Sequence, residues 1–438
     1  MKVLKFGGTS VGSVENMNVV MKLVTDGDKK LVVLSAMSGT TNALVAIAES
    51  LYKTDKEGAK AQIDQLEAKY EDVISNLYKD DSRKQEGKKI IDERFATIRE
   101  QVEKEFGPIE EQIILAQGEL ISTALFTQLM QENGHNTKLL PALDFMRIDV
   151  NKVADLYAIK TNISIVLDEI GEADYYVTQG FICRNADDEI DNLQRGGSDY
   201  TASLIGAAIK ADEVQIWTDI DGFHNNDPRF VNNTKKIEQL SFSEAAELAY
   251  FGAKVLHPQT VLPARLENIP VRLKNTMNPS DSGTLITSES NNKGIKAVAA
   301  KDGITALKIR SYRMLMAYGF LKNIFEVFEI FKTPIDMIST SEVAVSLTID
   351  NISRLEDILK ELKEYGEVEV DENQSIICIV GDIIAEERGF AAKVFNALEG
   401  IPIRMISYGG SRHNISVLVP TSHKQQTLQA LSDNLLNN

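Results

Sequence analysis

The sequence predicts an α/β fold, a mainly parallel sheet sandwiched by helices, followed by two small α+β modules. Three observations predict it. Short apolar runs alternate with longer stretches of helical period over roughly the first 290 residues. The last third of the chain repeats itself. Between the two regions lies Ser288-Glu289-Ser290-Asn291-Asn292-Lys293-Gly294, which has linker composition.

In chain order, the apolar runs 31–34, 113–115, 176–178 and 214–217 read as buried strands, and 284–286 closes the first region. Residues 122–131 and 201–210 carry helical period between them. Strands separated by helices favour parallel pairing, because each crossover needs a covering element. Residues 53–105 are different: highly charged, helical in period and without strand signal. They predict a helical insertion whose charges form a solvated face. The repeat aligns Gly319-Phe320, Phe325, 335–339 and the strand 343–349 with Gly389-Phe390, Phe395, 403–407 and the strand 415–419. An apolar strand precedes each copy (306–309; 376–380) and a helical segment follows each (355–365; 425–435). Each copy is therefore βαββ plus a helix. The expected limits are 1–290 for the first domain, 303–373 for the first module and 374–438 for the second.

A chain of 438 residues suits about three domains at ~150 residues each. Its net charge of −17 argues against a protein that coats nucleic acid or anionic membrane, and neither is expected as a partner. The same charge means that any basic group serving an anionic substrate must be placed locally. Cys183 and Cys378 stand far apart, so a disulfide framework is not expected and a reducing, cytoplasmic setting fits. The opening Val3-Leu4-Lys5-Phe6 has no export-signal pattern, and no apolar run approaches the ~20 residues of a membrane span. The five histidines lack metal-ligand spacing, so no protein metal site is expected.

Four clusters carry candidate chemistry. The segment Lys5-Phe6-Gly7-Gly8-Thr9-Ser10 follows a strand, but no Lys-Ser/Thr pair follows Gly12, so it is not a P-loop. Gly backbone, hydroxyls and Lys5 still suit a phosphate, and a plain strand-to-helix turn fits equally well. Arg195-Gly196-Gly197-Ser198-Asp199 leads into an apolar helix. Ser198 or Asp199 could serve as its N-cap, yet a cap needs neither Arg195 nor the glycine pair. Thr218-Asp219 ends a strand, where ligands of open α/β sheets bind, and Asn226-Asp227-Pro228-Arg229 follows. The fourth is Gly252-Ala253-Lys254-Val255-Leu256-His257-Pro258, a lysine in partly apolar surroundings.

Taken with Ser35-Ala36-Met37-Ser38-Gly39, Thr41-Asn42 and Gln117-Gly118-Glu119, these motifs occur in an order that resembles aspartokinase over essentially the whole chain. The resemblance implies the amino-acid kinase fold followed by two ACT modules of ferredoxin-like βαββαβ type. In that family the first C-terminal strand, here 294–301, can belong to the second module. It also implies transfer of the γ-phosphoryl group of ATP, with Mg2+, to the side-chain carboxylate of L-aspartate. By the same resemblance, Lys5 stabilises the moving phosphoryl group and Gly7 and Gly8 donate backbone hydrogen bonds. Asp199 organises Lys5 and the phosphates, Arg195 holds the α-carboxylate and Glu119 pairs with the α-ammonium. Ser35, Thr41 and Ser198 make further substrate contacts. Thr218, Asp219, His224, Asp227, Arg229, Lys254 and Val255 surround the nucleotide, with His224 where lysine-sensitive relatives often carry Tyr. Magnesium is held mainly by phosphate and water.

The ACT pair resembles a lysine site through Met314, Gly319, Phe320, Leu321, Asp336, Thr340, Ser341 and Glu342, with Ala317 replacing a Ser of some relatives. Lysine is therefore the expected inhibitor. A homodimer through the ACT modules is expected, or a tetramer built from it. Two other readings stand beside this one: a related amino-acid kinase acting on glutamate, N-acetylglutamate or UMP, and an amino-acid sensor with a weakened kinase domain. A fused homoserine dehydrogenase is not expected, since no G-x-G-x-x-G unit is present.

Overall fold

A computed structural model describes residues 1–193, 196–252, 256, 258–289, 294–314, 318–382 and 388–436. The chain divides into two compact units, Met1–Gly222 with Val255–Ser288, and Phe223–Lys254 with Glu289–Asn438.

In the first unit, seven strands of one sheet lie in the order Thr137–Leu140, Tyr175–Gln179, Lys30–Leu34, Lys2–Phe6, Val214–Thr218, Val271–Asn275 and Thr284–Thr287. Every pairing is parallel except the last, which is antiparallel. The central strand Lys2–Phe6 sets the register, with Lys5 opposite Val33 on one side and Ile216 on the other. All five residues of Lys30–Leu34 and of Tyr175–Gln179 are buried, as expected of strands covered on both faces. Because these strands run one way, their carboxyl ends share one edge.

The run 113–115, whose apolar character predicts a strand, is instead part of the helix Pro108–Glu132. Three contiguous apolar residues cannot distinguish a buried strand from a buried helix. Pro108 at the first helical position and a reciprocal Gly107–Glu110 cap start the helix several residues earlier. It is long and apolar enough to cross a bilayer, but 78% of its most apolar stretch is buried within the protein. It is a core helix, apolar on all sides because it is covered on all sides.

The charged segment 53–105 forms two helices, Lys56–Leu77 and Asp81–Glu103. One face of the first buries Ile63, Leu66 and Tyr70, and Tyr70 meets Phe95 of the second edge to face. Its outer face carries ion pairs such as Arg99 with Asp64 and Glu67. The insertion thus joins the main core of this unit rather than hanging from it.

In the second unit, six strands form one antiparallel sheet in the order Ile338–Thr340, Ala344–Ile349, Gly294–Arg310, Glu367–Asp382, Asn414–Pro420 and Met405–Tyr408. Both copies of the repeat show strand, helix, two strands and helix, with the helices Phe320–Ile330 and Leu355–Leu362 in the first and Phe390–Ala397 and Lys424–Leu431 in the second. The long strand Gly294–Arg310 serves both: 295–301 pairs with 376–381, whereas Thr305–Arg310 pairs with Ile349–Ala344. Residues 223–254, which the sequence puts inside 1–290, group with this unit. Phe230 and Val231 lie in the core with Ile377 and Phe390, and Asn226 Nδ2 donates to the Leu428 carbonyl at 3.2 Å. Two apolar residues in a loop give no warning of this in sequence.

Close helix-to-sheet packing in the first unit requires Gly206 on the helix Gly197–Ile209, since a Cβ there would lie 2.4 Å from Val214 Cγ2. Alanine would normally favour a helix over glycine by about 1 kcal/mol. Here Gly206→Ala should instead destabilise by about 1–3 kcal/mol in urea unfolding, with partial recovery in the double variant with Val214→Ala.

Candidate active site

Four parallel strands deliver the site from their carboxyl ends. Lys5, Gly7 and Gly8 follow from Lys2–Phe6, Ser35 to Gly39 from Lys30–Leu34, Phe181 from Tyr175–Gln179, and Thr218 ends Val214–Thr218. Together with Thr9, Thr41, Asn42, Glu119, Gly197 and Ser198 they line a cleft of about 500 Å³.

Backbone proximity explains the glycines. A Cβ on Gly8 would lie 2.9 Å from the Ala36 carbonyl oxygen, and one on Gly180 would lie 2.3 Å from Ser198 Oγ. The turn after the first strand closes through Ser10 and Val11 N–H groups donating to the Gly7 carbonyl. Lys5 extends from the strand to pair with Asp199 at 2.7 Å, both side chains largely buried. This settles the N-cap question: Gly196, in the left-handed region at φ +72°, caps the helix Gly197–Ile209, which leaves Asp199 in the first turn facing Lys5. The helix Thr40–Tyr52 likewise starts after a left-handed Gly39, and neither helix has a side-chain cap. Two helix N-termini without side-chain caps therefore border one cleft, an arrangement suited to anions.

The acceptor side is a hydrogen-bonded seam. Ser35 Oγ donates to Ser198 Oγ at 2.8 Å, and Ser122 Oγ donates to the Ser35 carbonyl at 2.8 Å. Glu119 is 3% exposed; its Oε1 accepts the Ala36 N–H at 3.1 Å, and its Oε2 has no partner among the described residues. Burial pushes its carboxyl up to about 7, against the lowering effect of the Ala36 N–H. A buried carboxylate with one free oxygen in a cleft calls for a cationic group.

The match to known proteins runs the length of the chain. Residues 1–275 match the amino acid kinase family, and residues 377–435 match the ACT domain. Lysine-sensitive aspartokinase 3 of Escherichia coli (strain K12) is 34% identical over 99% of this chain and 98% of its own length. The chain belongs to the aspartokinase family. A chloroplastic aspartokinase 2 of Arabidopsis thaliana is 32% identical over 98% of this chain and 83% of its own. Among solved structures, E. coli aspartokinase III in complex with aspartate and ADP (R-state) superposes with a TM-score of 0.84 at 34% identity, covering both chains fully. The same enzyme with lysine and aspartate (T-state) gives 0.84 over 99% of each chain.

Of the site residues expected from sequence, Lys5, Gly7, Gly8, Ser35, Thr41, Glu119, Ser198 and Thr218 line the cleft, and Asp199 pairs with Lys5. Thr218 Oγ1 donates to Asp219 Oδ1 at 3.0 Å. Arg195, Lys254 and Val255 lie outside the described residues, as does Ala317. His224, Asp227 and Arg229 belong to the second unit. There His224 bridges Lys236, and Arg229 forks onto Asp227, with Nη2 to Oδ2 at 2.6 Å.

The expected effector residues also fall in the second unit. Met314 ends a 3-10 turn, and Gly319, at φ +82°, caps the helix that begins with buried Phe320 and exposed Leu321. Thr340 ends an edge strand, followed by exposed Ser341 and Glu342. Asp336 Oδ1 accepts from Lys301 at 2.6 Å and from Tyr250 at 2.7 Å, while Oδ2 is buried without a partner among the described residues.

Phe181 escapes sequence reasoning. It holds φ +68°, a left-handed conformation rare for an aromatic residue, with its N–H bonded to Thr201 Oγ1 at 2.9 Å. Only its place just beyond a strand end hinted at it.

Glu119 makes stability depend on pH. Its folded value lies above the ordinary carboxyl value of 4.5, so the folded state holds a proton that the unfolded chain releases. This contribution is intact below about pH 4.5 and is lost as pH rises towards about 7. Glu119→Gln should therefore gain stability relative to the parent between about pH 5 and about pH 8, measured by urea unfolding at both.

Proposed function

We infer that this protein transfers the γ-phosphoryl group of ATP to the side-chain carboxylate of L-aspartate, giving 4-phospho-L-aspartate and ADP. The observation that carries the reading is the Lys5–Asp199 pair beside Glu119 Oε2, which has no partner among the described residues, in one cleft of an aspartokinase-family chain. In this reading it is the first step of the lysine, threonine and methionine pathway.

The acceptor carboxylate is ionised at neutral pH and needs no general base. The obstacle is repulsion: two unit charges ~4 Å apart cost ~4 kcal/mol at an effective dielectric of ~20, roughly a thousandfold in rate. Lys5 meets this by placing an ammonium at the strand end, held by Asp199 so that it cannot swing away. Gly7 and Gly8 let phosphate oxygens approach the backbone. Glu119 pairs with the α-ammonium of aspartate, which replaces the water it lost on burial. Ser35, Thr41 and Ser198 contact the substrate, and Arg195 clamps its α-carboxylate. Thr218 and Asp219, at the strand end beside Lys5, take the nucleotide.

Mg2+ accompanies ATP and neutralises phosphate charge. Among the described residues no group of three or more His, Cys, Asp or Glu side chains is placed to hold a metal ion, and Asp199 is already tied to Lys5. Phosphate oxygens and water therefore supply most of its ligands. Cytoplasmic residence suits the two free, buried cysteines. A homodimer through the ACT modules suits the exposed Ile338, Ile406 and Tyr408 on the edge strands of the second sheet.

Lysine is the feedback inhibitor in this reading, supported by the likeness to a lysine-sensitive relative. Asp336 Oδ2 and exposed Glu342 offer the acidic groups that an amino-acid cation would meet.

Two measurements test this. ADP release should depend on aspartate, and Lys5→Ala should lower kcat by roughly 10²–10³-fold while calorimetry still detects aspartate binding. Absence of aspartate-dependent ADP release would sink the assignment. Glu342→Ala should raise the half-inhibitory lysine concentration by about tenfold, the loss of one charged contact, with uninhibited turnover unchanged. An unaltered lysine response would remove this residue from the effector site.

A further inference from the structure

The cleft corner Ser35 to Thr40 is held by side chains from two other helices. From Pro108–Glu132, Ser122 Oγ donates to the Ser35 carbonyl and Glu119 accepts the Ala36 N–H. From the insertion helix Lys56–Leu77, Lys69 Nζ donates to the Ser38 carbonyl at 2.8 Å. Its neighbour Tyr70 places its hydroxyl 2.9 Å from Thr40 Oγ1. Tyr70 and Thr40 are both 0% exposed. Between these two contacts sits left-handed Gly39, which opens the uncapped helix Thr40–Tyr52.

We propose that Lys69 and Tyr70 are positioning residues of the aspartate site, so that the helical insertion is a working part of the catalytic unit. The proposal rests on the functional reading above and adds residues to it. A helix start with no side-chain cap frays readily, and here only the Thr40 N–H is held, by the Met37 carbonyl, while no side chain caps the next ones. Here those groups must stay aimed at the cleft, where Thr41 and Asn42 line the wall. Two contacts on adjacent insertion residues fix the peptide on either side of Gly39.

Charge gives Lys69 a second use. Its ammonium lies at the cleft rim, close enough that a Cβ on Gly39 would stand 3.9 Å from Nζ. Partial desolvation of the ammonium lowers its proton affinity, and among the described residues no carboxylate offsets that. Bonded only to a neutral carbonyl, its charge adds to the field that the two carboxylates of an incoming aspartate meet, in a chain of net charge −17. Other charged residues of the insertion pair with one another, as in Lys88–Glu71 and Arg99–Asp64.

Three variants and two readouts decide the matter. Lys69→Met keeps the aliphatic stem of an exposed residue, Tyr70→Phe removes one oxygen from a buried one, and Lys69→Arg keeps the charge. The first two should each raise the aspartate KM by about three- to tenfold, the range of one lost hydrogen bond, with kcat and the ATP KM within about twofold. Lys69→Arg should restore most of the loss, and raised salt should weaken aspartate binding less in Lys69→Met than in the parent. Amide exchange of the full chain should quicken at residues 38–43 in both variants, with the melting temperature of Lys69→Met unchanged. Exchange that stays at the parent rate there overturns the pinning role, whether or not the protein turns over. Faster exchange with an unchanged aspartate KM overturns the link to substrate. If the parent itself releases no ADP with aspartate, the functional reading fails instead, and the exchange result still decides whether the insertion holds the corner.

Discussion

The Lys5–Asp199 ion pair is the interaction on which the site depends. It joins the first strand of the chain to a helix far along it, and it exists because Lys2–Phe6 lies in the middle of a parallel sheet. Parallel alignment brings every carboxyl end to one edge, so a lysine near the end of the central strand meets whatever follows its neighbours. Ser35, Phe181 and Thr218 arrive at the same edge for the same reason. A one-residue slip in register would turn Lys5 to the opposite face, so the apolar packing of the strands protects the chemistry.

That edge is costly to build. Glu119 is buried with one oxygen unpartnered among the described residues, two helices begin without side-chain caps, and Phe181 sits in a left-handed conformation. Each is unfavourable in an isolated protein, and such features concentrate where a protein handles ligands. The remainder of the unit supplies the stability that tolerates them. The long helix Pro108–Glu132 shows both tasks at once, being largely buried while presenting Glu119 to the cleft and Ser122 to the Ser35 carbonyl.

Most of the architecture is legible from periodicity. The strands at 31–34, 176–178 and 214–217, the helical insertion and both copies of the C-terminal repeat all appear in the structure. The failure at 113–115 has a specific cause: in an all-round buried helix the apolar run carries no period, so length and caps must decide, and the Pro108 start signal lies outside the run. The grouping of 223–254 with the second unit is invisible for a different reason. It rests on Phe230, Val231 and one Asn226 side-chain bond, and the partners of such contacts are set by three-dimensional proximity alone.

What the sequence by itself determined is the set of chemical groups: glycines, a lysine, a carboxylate pair and hydroxyls, grouped in motifs whose order resembles one enzyme family. Local spacing sufficed for that, because a strand end followed by Gly-Gly or a Gly pair before a helix is a short-range pattern. Only the tertiary structure decided which group faces which. It turned Asp199 from a candidate helix cap into the partner of Lys5, and left Glu119 with one free oxygen. It also bonded Lys69 and Tyr70 of a seemingly inert charged insertion to Ser38 and Thr40 behind the cleft corner. Ion pairing and desolvation act through space over a few ångströms, and residues far apart in the chain acquire those distances only when the sheet has formed.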